Sequence, residues 1–186
     1  MRSFIAIELP ESIQSALSDI QTDFKKSDVD VRWVRPENIH LTLKFLGTIE
    51  ESMVISVTDV LQKASRNYKT FTLTLSGVGV FPNVRSPRIM WVGMTDSSAL
   101  TDLQSDIEDG LASLGFEREK RKYTAHLTLG RFKSSRGKRI LKEKIETYRA
   151  RVSGSFDVGT ISLMKSDLGP SGAKYTRVAE ARLENG

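Results

Sequence analysis

Hydrophobic positions along the chain alternate between two repeats, one near 2 residues and one near 3.6, and each change of repeat marks the edge of an element. Arg2 to Glu8 alternates like a strand and ends before Pro10, after which Ile13, Leu17, Ile20 and Phe24 keep helical spacing up to Lys25. Val31 to Val34 and His40 to Leu46 read as strands, the first stopped by Pro36 and the second closed by Gly47. Met53, Val57, Val60, Leu61 and Ala64 mark a second helix. Phe71 to Val80 sets Phe71, Leu73 and Leu75 against Thr72, Thr74 and Ser76. Ile89 to Met94 resumes that pattern beyond the turn signals Phe81-Pro82-Asn83 and Ser86-Pro87, which predicts a hairpin with a long loop. Ser98 to Leu114 carries Leu100, Leu103, Ile107, Leu111 and Leu114 on one helical face, with Gly115 in the place of a C-cap. Tyr123 to Phe132 is strand-like and Ile140 to Tyr148 helical, and Arg151 to Phe156, Thr160 to Lys165 and Tyr175 to Ala181 complete the strands.

Helices and strands interleave, yet the links at 34 to 40, 80 to 88 and 157 to 160 show no helical spacing. Antiparallel pairing and an α+β fold follow. No linker, low-complexity tract or composition break divides the chain, so residues 1–186 read as one domain, long enough to bury a core. There is no cysteine, which removes disulfides and thiolate chemistry and suits a cytoplasmic protein. The first apolar stretch, Phe4 to Leu9, is interrupted by Glu8 and is too short for a signal segment or a membrane span. The net charge of +5 is a small bias, but nine basic residues lie between Glu117 and Arg139 against two acidic ones. That local excess of seven is the footprint expected beside a phosphate-bearing ligand.

The only two histidines each open the same tetrapeptide, His40-Leu41-Thr42-Leu43 and His126-Leu127-Thr128-Leu129. On a strand, residues i and i+2 share a face, so each motif anchors itself by its leucines and presents an imidazole beside a hydroxyl. If the two strands are neighbours, both pairs face one ligand. In-line displacement at phosphorus needs a base for the attacking oxygen and an acid for the leaving one, and two imidazoles with pKa near 6.5 can share those tasks. The threonine hydroxyls would donate to the non-bridging phosphate oxygens. No metal or other cofactor is required, and two histidines without cysteine or a carboxylate cluster make a poor zinc site.

With these motifs the sequence resembles the two-histidine phosphoesterases, whose signature is a pair of H-x-[ST]-x motifs, and within them the RNA 2′,3′-cyclic phosphodiesterases, historically called 2′-5′ RNA ligases. The resemblance runs from Arg2-Ser3-Phe4-Ile5-Ala6-Ile7 through Arg32 to Gly47, the Phe81-Pro82 turn and Arg88 to Gly93, to His126-Leu127-Thr128-Leu129-Gly130-Arg131. It implies two pseudo-symmetric lobes with antiparallel sheets flanked by helices around a shared central cleft, which the 86-residue offset between His40 and His126 fits. It implies that His40 protonates the leaving 3′ oxygen, that His126 activates water to leave a 2′-phosphate, and that Thr42, Thr128 and Arg131 bind the phosphate. Strict alternation would set Arg131 on the leucine face, so it reaches the phosphate only if the strand ends or bulges there.

The expected partner is RNA with a 2′,3′-cyclic phosphate end, or a cyclic nucleotide. Trp33, Phe81 and Tyr123 are candidates for stacking on a base or for the core. Nothing demands a dimer, so a monomer is expected. Two other readings use the same residues: a ligase running the reaction backwards without nucleotide cofactor, and a non-catalytic RNA or nucleotide-binding module.

Overall fold

Four amphipathic segments form the four α-helices and the alternating segments form one sheet, in a computed structural model that describes residues 1–149, 151–170 and 172–184. The order is β1 (Arg2–Glu8), α1 (Glu11–Lys25), β2 (Val31–Trp33), β3 (His40–Thr48), α2 (Met53–Ser65), β4 (Phe71–Phe81) and β5 (Ile89–Met94). It continues with α3 (Ser98–Ala112), β6 (His126–Phe132), α4 (Lys138–Tyr148), β7 (Ser155–Val158), β8 (Thr160–Gly169) and β9 (Gly172–Arg182).

Several boundaries differ from the sequence expectation, each for a reason. Gly115, at φ +92°, turns the chain so that the Phe116 N–H donates back to the Leu111 carbonyl, and α3 stops before Leu114. β6 begins at His126 rather than Tyr123, because its ladder with β5 ends at Gly93 and His126. β7 is not 151–156 but the four residues that pair with Phe71 to Thr74. β8 and β9 outrun their apolar alternation, since the ladder from Lys165 to Gly169 joins exposed and half-buried residues and hydrophobic period reports burial, not pairing. The link at 34 to 40 contains one 3₁₀ turn, Pro36–Asn38, too short to leave a helical period.

Every strand pair is antiparallel, in the order β7-β4-β5-β6-β3-β1-β8-β9, with β2 also along β6. The two motif strands, β3 and β6, are therefore neighbours at the centre, meeting at Leu41 and Leu127. Three strands continue outward from each, β5, β4 and β7 from β6 and β1, β8 and β9 from β3. The last strands of each half change sides: β4 completes the lobe of β6, and β8 and β9 complete the lobe of β3. The helices follow suit. α2 packs on β9 and α3, while α4 packs on β4 and, through Phe24–Tyr148 stacking and a Lys144–Asp23 ion pair, on α1.

All helices lie on one side of the sheet, where Leu41, Leu43, Leu127 and Leu129 are at most 3% exposed. On the open side a separate cluster of Phe4, Ala6 and Met164, with Tyr175 against it, curls over β1. Leu127 is the contact between the lobes, and Leu127→Ala should lower unfolding stability by about 2 to 5 kcal/mol in chemical denaturation, the usual cost of a buried Leu to Ala change.

Candidate functional site

In an antiparallel pair joined at Leu41 and Leu127, residues one step away stand across from each other, so His40 faces Thr128 and His126 faces Thr42. Both pairs are on the open side. The His40 Nδ1 is 2.9 Å from the Asn38 carbonyl and the His126 Nδ1 is 2.7 Å from the Thr124 carbonyl. A carbonyl only accepts, so each Nδ1 carries a proton and donates it, and each Nε2 is left for proton exchange. Among the described residues neither threonine hydroxyl is used by another protein group.

The two imidazoles have different walls. His40 stacks on Phe4 (centroids 4.6 Å, planes 24° apart) and meets the edge of Tyr175 at 5.1 Å. Ala6, between Phe4 and Glu8 on the same face of β1, is small enough to let these rings close over it. Glu8 is the partner of His40 in the ladder and accepts from Ser162 Oγ and Arg177 Nε, each at 2.7 Å. Burial opposes charge on Glu8, but the bonds from Arg177 and Ser162 prevail and hold its pKa below the ordinary carboxylate value. Desolvation lowers the pKa of His40 below its usual 6.5, opposed by the bond to the Asn38 carbonyl and by the Glu8 charge. Among the described residues His126 has one aromatic neighbour, Phe81, edge-on at 5.1 Å, and Phe81 in turn rests on Trp91. The Trp91 ring occupies the space over Gly79, where a Cβ would collide with it.

Each motif strand bulges immediately after its threonine. The β1–β3 ladder steps from Ala6–Thr42 to Ile5–Lys44, leaving Leu43 extra, and the β5–β6 ladder steps from Trp91–Thr128 to Met90–Gly130, leaving Leu129 extra. Beyond the bulge the faces exchange. Lys44 and Gly130 turn to the helix side, and Phe45 and Arg131 come out on the side of the histidines, both exposed. This is the bulge that Arg131 required.

Both bulges are tied to a helix behind the sheet. Gln104 Nε2 of α3 donates to the Leu43 carbonyl at 3.3 Å, and Gln21 Nε2 of α1 donates to the carbonyls of Leu129 and Val34 at 2.9 and 2.7 Å. Lys44, buried by its turn inward, donates to Glu108 Oε2 and to the Glu117 carbonyl, each at 2.7 Å. None of these four side chains was singled out from sequence. For the three on helices the signal was a polar residue on an apolar stripe: Gln21 four after Leu17, Gln104 four after Leu100, Glu108 four after Gln104.

Of the other aromatic candidates, Trp33 packs against the core with the Lys25 ammonium 5.9 Å from its ring, and the half-buried Tyr123 donates its hydroxyl to the Thr42 carbonyl at 3.1 Å. Only Phe81 of the three touches a histidine ring. In the basic segment Arg118 pairs with Asp109, Arg136 with Asp28 and Arg139 with Glu143, while Lys120, Arg121, Lys122 and Lys133 stay exposed around β6. Among the described residues no three of His, Asp and Glu gather as a metal site, and no helix is long and apolar enough to cross a membrane.

A family model described as LigT like Phosphoesterase matches the chain twice, over residues 7–91 and 92–175. The chain is 37% identical to the RNA 2′,3′-cyclic phosphodiesterase of Methanothermobacter thermautotrophicus over 183 residues, 98% of this chain and 99% of that one. It is 34% identical to the protein of the same name from Methanocaldococcus jannaschii, over 97% and 99% of the two chains. Among solved structures, the protein TT0787 of Thermus thermophilus superposes with a TM-score of 0.82 at 26% identity, covering 100% and 99% of the two chains. E. coli LigT complexed with 3′-AMP superposes with a TM-score of 0.77 at 25% identity, covering 98% and 97%.

Two outcomes are expected from this geometry. Gln21→Leu takes the side-chain donor from the Val34 carbonyl and one of two donors from the Leu129 carbonyl, which still accepts from the Val34 N–H, and should cost about 1 to 3 kcal/mol in denaturant titration. In an NMR titration the His40 midpoint should fall below 6.5, move lower still in Glu8→Gln, which removes a charge that favours the imidazolium, and rise toward 6.5 in Tyr175→Ala, which lets water in.

Proposed function

The chain belongs to the LigT-like phosphoesterases and is a phosphodiesterase of RNA 2′,3′-cyclic phosphates, and we propose that it works through His40 and His126 as acid and base, with no step through a metal. The observation that supports this most is the pair of imidazoles, each opposite the other motif's threonine and each pinned at Nδ1 by the carbonyl two residues before it. Pinning leaves both Nε2 atoms for the reaction and spends no freedom at the moment of proton transfer.

With the cyclic phosphate between the motifs, His126 takes a proton from a water molecule as its oxygen attacks phosphorus. The bond from phosphorus to the 3′ oxygen breaks on the opposite side, and that oxygen takes the proton carried by His40 Nε2. The product is a 2′-phosphate with a free 3′ hydroxyl. His126 is left protonated and His40 neutral, and exchange with solvent restores both. Each transfer is worth about 10²- to 10⁴-fold.

The surroundings fit this division of labour. The rings around His40 disfavour its imidazolium until an anionic phosphate arrives, and then make the proton easy to surrender to a leaving alkoxide. Thr42, Thr128 and Arg131 hold the non-bridging oxygens, Arg131 through the turn its bulge gives it. Because each half completes the other's lobe, we take residues 1–186 as one bilobal domain. We place it in the cytoplasm as a monomer acting on RNA ends or cyclic nucleotides, a reading supported by a chain without cysteine that supplies every group of the site itself.

An oligoribonucleotide ending in a 2′,3′-cyclic phosphate should be opened to the 2′-phosphate in EDTA, with a loss of at least about 10²-fold in His40→Ala and in His126→Ala. Activity abolished by EDTA, or retained by either variant, overturns the paired-histidine mechanism.

A further inference from the structure

Phe45 is 72% exposed. Of the other large apolar side chains with similar exposure, Ile55 is on α2 and Leu168 is near the tip of the β8–β9 hairpin, opposite Ala173. Phe45 is on the motif strand itself, five residues after His40. The β3 bulge turns it onto the open face, where its ring stands 6.2 Å from that of Phe4, which is itself stacked on His40 at 4.6 Å. Two ring steps thus separate it from the imidazole, a span comparable to that from the phosphorus of a nucleotide to its base. Its counterpart, five residues after the other histidine and beyond the other bulge, is Arg131. The same backbone device therefore presents a cation on one side of the site and a flat apolar surface on the other. A ribose cyclic phosphate has the same two-sidedness, an anionic centre with a planar base to one side.

We propose that Phe45, backed by Phe4, is the platform on which the base of the nucleotide carrying the cyclic phosphate stacks. This rests on the phosphodiesterase reading above and adds where the base lies. Phe4 and Met164, which back the platform, are apolar, so it takes the face of a base and not its hydrogen-bonding edge. All four bases should be accepted, purines better than pyrimidines because they cover more ring.

The test compares wild type, Phe45→Ala and Phe45→Tyr on adenosine 2′,3′-cyclic phosphate and on the 1-O-methyl riboside 2′,3′-cyclic phosphate, which lacks a base. Phe45→Ala should raise KM for the adenosine substrate about tenfold or more with kcat little changed, leave the base-free substrate unaffected, and be rescued by Phe45→Tyr. Equal losses on both substrates, or none on either, overturn the platform. Calorimetric binding of adenosine 2′-monophosphate gives a readout free of turnover. If wild type hydrolyses neither substrate, the phosphodiesterase reading fails, and the platform stands only if Phe45→Ala still weakens adenosine 2′-monophosphate by about tenfold.

Discussion

A strand that bulges takes a carbonyl out of its ladder, and buried polar groups must find partners. Here the Leu43 carbonyl accepts from Gln104 and the Leu129 carbonyl from Gln21 as well as from the Val34 N–H, the two glutamines reaching the sheet from the helices behind it. The layout of the site depends on these bonds. Without the bulges Phe45 and Arg131 would face the leucine layer, and the open side would carry Lys44 and Gly130 after its histidines and threonines. A flat strand gives one face every second residue; a strand bulged after the threonine gives that face a residue at i, i+2 and i+5.

The scaffold is close to twofold, as the double match of one family model over 7–91 and 92–175 reflects. The site is not. One imidazole is walled by Phe4 and Tyr175 with Glu8 across the ladder, and the other, among the described rings, meets Phe81. At the inward position after the bulge one strand has Lys44 in an ion pair with Glu108. The other has Gly130, where a Cβ would come within 2.5 Å of Val31 as β2 closes on β6. A buried ion pair contributes little net stability on its own, since desolvation offsets attraction, but losing either partner strands a charge. The in-line reaction proposed for this site would use an acid and a base in different settings, and a duplicated fold can supply them by keeping the backbone geometry and varying what packs around it.

Exchange of the terminal strands makes the two lobes inseparable. β4 belongs to the first half of the chain and pairs with β5 and β7, while β8 pairs with β1. Neither half has a complete sheet without the other, so the placement of the two motif strands depends on both halves.

By itself the sequence determined the α+β class, the four helices, the β4–β5 hairpin and the duplicated histidine motif with its alternating faces, because each is written in spacings of two to four residues that local backbone geometry translates directly. Tertiary structure alone decided that β3 and β6 are neighbours, that Arg131 escapes the face alternation assigns it, and that Tyr123 serves the Thr42 carbonyl. It also decided that Gln21, from a helix that reads as ordinary, holds Leu129 from 108 residues away. A bulge, a buried bond and a desolvated imidazole are properties of contacts between distant segments, and no local repeat in the chain records them.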